Sequence, residues 1–162
     1  MRPTASRTRE AIFSMLGPVE GDVADLFCGS GALGLEALSR GADRVTFVDR
    51  DVSVTGRNVA ELGVEDRCSV IGARLPYALS PNGPLAGSSF DLILCDPPYT
   101  LAADLAPGLQ QPLQQLLAPG GSLIVESAAS RPMELSMPEL TLDRERDYGA
   151  AHVAIYRRPE AG

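Results

Sequence analysis

Short apolar runs alternate along this chain with stretches in which apolar residues recur every three or four positions. Ile12, Phe13 and Leu16, with Met15 beside them, put an amphipathic stripe on Ser6–Leu16, which Ser6 can cap and Gly17-Pro18 ends. Val23–Phe27 then reads as a buried strand, Leu33–Arg40 as a helix stopping at Gly41, and Val45–Val48 as a second strand. Val52–Leu62 predicts a helix closed by Gly63, and Cys68–Ile71 a third strand. After the Pro/Gly/Ser loop Ser80–Ser89 come a fourth strand, Phe90–Cys95, and a polar helix near Gln110–Leu117. The turn Pro119-Gly120-Gly121 leads into a fifth strand, Ser122–Glu126. Leu140–Arg144 and His152–Arg157 close the chain as an antiparallel pair. Regular strand–helix alternation predicts a Rossmann-like α/β fold, with a mostly parallel sheet and helices on both faces. Ligands of such sheets sit at the carboxyl ends of the strands.

Length and composition narrow the class. The 162 residues suit one domain spanning 1–162, with no linker or repeat to mark a second. No apolar run approaches a membrane span and no leader-like segment opens the chain. Cys28, Cys68 and Cys95 are odd in number and widely spaced, which reads as reduced thiols in a cytoplasmic protein, with neither a disulfide framework nor a metal site. The net charge of −7 counts against tight, non-specific nucleic-acid binding by this chain alone. A basic footprint has to be local: Arg2, Arg7 and Arg9 at one end, or Arg144, Arg146, Arg157 and Arg158 near the other. Plain surface charge is the alternative for both clusters.

Two motifs fall at strand ends. Gly29-Ser30-Gly31-Ala32-Leu33-Gly34 matches G-x-G-x-x-G between a strand and a helix, the context that gives the motif weight. Asp49 ends the next strand, 20 residues after Gly29, where a carboxylate can accept both ribose hydroxyls of an adenosine. Dinucleotides and S-adenosylmethionine both use this arrangement. Asp25, just ahead of the loop, favours the second: a negative charge suits an ammonium and a sulfonium, not a pyrophosphate. A tight turn with no ligand is the remaining alternative for the glycines.

Asp96-Pro97-Pro98-Tyr99 follows the fourth strand directly. An amino group on a purine or cytosine is a poor nucleophile because its lone pair is delocalised into the ring. Hydrogen bonds to the Asp96 carboxylate and the Pro97 carbonyl would favour a nitrogen with an available lone pair, while the prolines stiffen the loop. Tyr99 offers a face on which a flipped-out base can stack. Because the methyl donor is itself a sulfonium, the chemistry needs no metal. Glu126, at the end of the fifth strand, is a candidate for the base pocket. His152 and Cys28 read as packing residues.

These residues together resemble the bacterial 16S ribosomal RNA guanine-N2 methyltransferases. The likeness rests on Arg2-Pro3-Thr4 with Arg7 and Arg9-Glu10-Ala11-Ile12-Phe13, on Asp25 through Arg40, on the tetrad Asp96–Tyr99 and on Arg146-Asp147-Tyr148-Gly149. It implies a seven-stranded class I methyltransferase sheet, S-adenosylmethionine as cofactor, and a guanine of small-subunit ribosomal RNA, free or in the particle, as substrate. Cofactor contacts are expected at Asp25, Phe27, Gly29, Ser30, Gly31, Gly34, Asp49, Arg50 and Ala73, and substrate contacts at Arg2, Arg7, Arg9 and Glu126, in an enzyme expected to act as a monomer. The tetrad alone is shared with adenine-N6 enzymes, which stay open as an alternative, as does an inactive cofactor-binding remnant. Three departures stand out. The family's basic N-terminal hairpin is expected to be absent, since the chain starts at the Arg-Pro-Thr block. Gly72-Ala73-Arg74 replaces the usual Gly-Asp-Ala, so backbone groups near Ala73 are expected to hold the adenine amino group. Ala150-Ala151 replaces a polar pair.

Overall fold

The computed structural model describes residues 3–161. Its elements are α1 (Pro3–Leu16), β1 (Asp22–Leu26), α2 (Ala32–Ser39), β2 (Arg44–Asp49), α3 (Ser53–Leu62), β3 (Cys68–Gly72), β4 (Phe90–Cys95), α4 (Ala102–Leu116), β5 (Leu117–Ala128), β6 (Thr141–Tyr148) and β7 (Ala151–Arg157). Seven strands form one sheet in the order β3-β2-β1-β4-β5-β7-β6. The first five run parallel, and β7 enters antiparallel between β5 and β6. The expected seven-stranded, mostly parallel class I architecture is what forms. Among the described residues no helix is long and apolar enough to cross a membrane.

Alternate strand residues build two apolar layers. On one face Val23, Val45, Phe47, Leu92 and Leu94 pack with Ile12 and Phe13 of α1, Ala37 and Leu38 of α2 and Val59 of α3. On the other, Ala24, Leu26, Val48, Ile93 and Cys95 pack with Leu109 and Leu113 of α4. The switch of strand order lies between β1 and β4, so the carboxyl ends of those two strands frame a crevice.

Helix α1 and strand β6 run beyond their expected bounds, and α4 and β5 depart further from the sequence pattern. Helix α4 begins at Ala102, ahead of the segment predicted near Gln110, and runs through Pro107 and Pro112. Proline normally ends a helix because it lacks an N–H and crowds the preceding turn. Here Ala102, Ala106, Leu109, Leu113 and Leu116 form a buried stripe whose contact with the sheet outweighs that local cost. Strand β5 begins at Leu117, and Pro119-Gly120-Gly121 is carried within it as an irregularity: the partner of Phe90 is Leu117, but that of Leu92 is Ser122. Gly120 has φ 78, the left-handed conformation this bend requires.

Candidate active site

The loop after β1 is held from three directions. From the side, the Asp49 carboxylate at the end of β2 accepts hydrogen bonds from the Gly29 N–H (2.9 Å) and from its neighbour Arg50 (2.7 Å). From α3, the Thr55 hydroxyl donates to the Gly29 carbonyl at 2.8 Å and the Asn58 amide to the Ser30 carbonyl at 2.9 Å. From behind, the Asp25 carboxyl accepts the Gly34 N–H at 2.9 Å. Gly34 has to be glycine, since a Cβ would stand 2.4 Å from the Phe47 ring. Gly31 begins the helix with φ 85, and a Cβ on Gly29 would meet nothing within 4 Å. Main chain is therefore exposed at Gly29 and Ser30 to an incoming ligand.

Phe27 carries φ 61, a costly conformation for an aromatic residue, and it lines the crevice. A cavity of about 210 Å³ opens there, bounded by Phe27, Asp49, Arg50, Arg74, Leu75, Pro98, Leu101 and Leu105. Its walls are largely apolar with one carboxylate at the side, a shape and chemistry that suit an adenine ring with its ribose directed at Asp49. Leu75, Leu101 and Leu105 carried no motif, and Arg74 entered only as part of the altered Gly72-Ala73-Arg74 block; the four come together from two loops and a helix.

Asp25 differs from its sequence reading. It is 1% exposed, and burial raises its pKa from 3.8 to about 8, offset in part by the Gly34 N–H and reinforced by the charge of Asp49. A carboxyl so buried is largely protonated at neutral pH, so it shapes the loop from inside and presents little charge to a ligand. The Ala73 N–H donates to the Asp49 carbonyl at 2.9 Å. An adenine amino group is itself a donor, so a backbone group holding it there has to be a carbonyl.

The tetrad continues from β4 across the mouth of the crevice. Asp96 is half-buried, Pro97 buried, Pro98 exposed and Tyr99 half-buried. Pro98 borders the cavity of Asp49, whereas Tyr99 borders a second one, of about 400 Å³, that reaches Gln110 and Arg131. The Tyr99 hydroxyl donates to Glu126 Oε2 at 3.1 Å. That link joins two elements 27 residues apart, and nothing in the local sequence signals it.

Arg7 lines a further cavity with Thr8, Tyr148 and Gly149. The β6–β7 turn stands beside the end of β5, where Ala129 donates to Ala150, so this group shares the sheet edge of the tetrad. Arg9 instead reaches Glu36 of α2 at 3.7 Å. Arg2 lies outside the described residues. His152 bridges Asp147 and Glu145 on β6 and ties the last hairpin together. Cys28 approaches the Thr55 hydroxyl at 3.3 Å, and burial pushes its thiol up to about 12, which removes it as a nucleophile.

Comparison with known proteins gives the family and the fold. Residues 1–157 match the family model described as Conserved hypothetical protein 95. The Ribosomal RNA small subunit methyltransferase D of Escherichia coli (strain K12) is 30% identical, over all of this chain and 82% of its own length. A solved structure of a conserved hypothetical protein from Streptococcus pyogenes superposes with a TM-score of 0.81 at 26% identity, covering 93% of this chain and 94% of that one. The N-methyltransferase NodS from Bradyrhizobium japonicum WM9, solved with S-adenosyl-L-homocysteine, shares the fold at a TM-score of 0.72 and 18% identity, over 98% of this chain and 89% of that one. On its match over nearly the whole length, the chain belongs to the Conserved hypothetical protein 95 family, on a class I methyltransferase fold.

Proposed function

We propose that this chain transfers a methyl group from S-adenosylmethionine to the exocyclic N2 of a guanine in 16S ribosomal RNA, acting in the cytoplasm as a monomer. One observation carries the reading: Pro98 and Tyr99, adjacent in the tetrad, border two different cavities. A donor beside Asp49 and an acceptor base beside Tyr99 would then meet at Asp96-Pro97. Family membership and the name of the Escherichia coli relative support ribosomal RNA as the substrate.

On this reading Asp49 accepts the ribose hydroxyls, Phe27, Leu75 and Leu105 enclose the adenine, and the exposed main chain of Gly29 and Ser30 receives the methionine part. Bound S-adenosylmethionine supplies an electrophilic methyl group on a positively charged sulfur. The protein's own part is to prepare the nucleophile. The Asp96 carboxylate and the Pro97 carbonyl accept hydrogen bonds from the amino group and draw its lone pair out of the ring. The nitrogen taking the methyl group would gain positive charge, which the Asp96 carboxylate would stabilise until the surplus proton passes to water. That interaction is strongest in the transition state, so it acts on rate more than on affinity.

The test is nucleoside analysis of small-subunit ribosomal RNA, free and in the particle, after incubation with labelled cofactor. N2-methylguanine is the expected product. N6-methyladenine would move the acceptor to adenine, and no product would leave the chain a cofactor-binding protein. Asp96→Ala should lower turnover by roughly 10²–10³-fold while cofactor affinity stays within a few-fold of the parent.

A further inference from the structure

Glu126 occupies the carboxyl end of β5, one residue beyond Val125, whose partner in register is Cys95 at the end of β4. That register sets Glu126 level with Asp96, the first residue of the tetrad. Glu126 and Tyr99 are both half-buried, and the Tyr99 hydroxyl donates to Glu126 Oε2 at 3.1 Å. A base lying on the Tyr99 ring therefore has two carboxylates near its edge, one from each of two neighbouring strands.

The two purine amino groups differ in what stands beside them. The N2 amino group of guanine adjoins N1–H, a donor. The N6 amino group of adenine adjoins a bare N1, an acceptor. An ionised carboxylate only accepts, and with about four lone-pair sites it serves a tyrosine hydroxyl and a base donor together. Facing guanine N1–H it gains a charge-assisted bond, whereas facing adenine N1 it meets a like partial charge. With Asp96 and Pro97 occupied by the amino group itself, the second carboxylate is the group able to read the neighbouring ring position.

We propose that Glu126 selects guanine over adenine by accepting N1–H of the target base, with Tyr99 holding its carboxylate in place; this rests on the guanine-N2 reading above. Tyr99 is a positioning residue for Glu126 as well as a stacking surface. A site built around a base donor rejects the analogue that lacks it, because its own acceptor is then left facing another acceptor.

The experiment uses the full chain and a 16S ribosomal RNA fragment in which the methylated guanosine, located by mapping the product, is replaced by 2-aminopurine riboside. This analogue keeps the 2-amino group, but its N1 carries no hydrogen. The parent should methylate guanine about 10–150-fold faster than 2-aminopurine, the range for one charge-assisted hydrogen bond. Glu126→Gln, whose amide can donate to a bare N1, should shrink that preference by roughly 10-fold or more. Its cofactor affinity by calorimetry should match the parent, which also reports folding. Tyr99→Phe keeps the stacking face but releases the Glu126 carboxylate, so it should still methylate guanine while losing part of the preference. Equal parental rates on the two RNAs overturn the proposal whatever the variants do. A preference unchanged in Glu126→Gln also overturns it and reduces Glu126 to an anchor for Tyr99. A parent that makes no N2-methylguanine defeats the functional reading itself, an outcome separate from one that makes it without preference.

Discussion

Asp25 and Asp49 are both carboxylates flanking one glycine loop, and their surroundings give them different work. Asp49 is half-exposed, lines the cavity and is aimed by the N–H groups of Gly29 and Arg50. Asp49→Ala removes the ribose acceptor and also releases Gly29. A hydrogen bond to a charged group contributes about 1.5–3 kcal/mol, so affinity for S-adenosylhomocysteine should fall by roughly 10–150-fold, as read by calorimetry. Asp25 is buried, with its pKa raised from 3.8 to about 8, chiefly by desolvation. An acid of this kind binds its proton more tightly when folded than when unfolded. Its contribution to stability is therefore complete below about pH 4 and is lost as pH rises towards about 8, with a slope of at most ~1.4 kcal/mol per pH unit. Asp25→Asn keeps an acceptor for Gly34 but cannot titrate, so its stability should vary less across that window. Urea unfolding at several pH values tests this, and parallel curves for parent and variant would show that Asp25 does not titrate there.

At the level of elements, the seating of α2 on β2 sets the shape of the loop. The first turn of α2 approaches so closely that a Cβ at Gly34 would lie 2.4 Å from Phe47 and 2.9 Å from Val45. Phe47 is fully buried beneath the helix and has no room to retreat. Gly34→Ala should cost about 1–3 kcal/mol in chemical denaturation, the usual penalty for overpacking. Adding Phe47→Leu should recover part of that loss, because it removes the ring edge that the new methyl group meets. Gly29→Ala provides the contrast. It meets no atom within 4 Å but has φ +56, so about 1–2 kcal/mol of backbone strain is expected without any rescue from Phe47→Leu. Equal rescue of both variants would contradict this account of the packing. The last hairpin follows a different rule. Edge strand β6 is exposed along nearly its whole length and densely charged from Asp143 to Asp147, a composition that discourages pairing with another sheet.

Across the whole molecule the net charge of −7 works against an RNA ligand, so attraction has to come from placement. Arg7 stands at the sheet edge of the tetrad beside Tyr148 and Gly149, whereas Arg9 is drawn towards Glu36. Arg7→Ala should therefore weaken RNA binding more than Arg9→Ala. It should also reduce the slope of log affinity against log salt by roughly 0.7–0.9, one phosphate contact. Cofactor affinity should not change in either variant. A salt slope that is the same in Arg7→Ala and the parent would mean that this arginine is solvated surface charge.

Local spacing along the chain was enough to set the order of strands and helices, the glycine loop with Asp49 one strand later, and the tetrad at the end of β4. Each of these depends on short-range periodicity or on the backbone freedom of glycine and proline, which a single segment carries by itself. The family likeness drew on the same segments. The extension of α4 through Pro107 and Pro112 was decided by its buried stripe against the sheet, since local propensity opposes it. Burial turned Asp25 into a loop support, and the pairing of β2 with β3 set the Ala73 N–H on the Asp49 carbonyl. Thr55 and Asn58 became loop straps only because α3 folds back beside β1. The hydrogen bond between Tyr99 and Glu126 exists because parallel pairing of β4 with β5 brings their carboxyl ends together. Periodicity tells each segment which side to bury; which distant residue it then meets is settled by the order in which the strands pair.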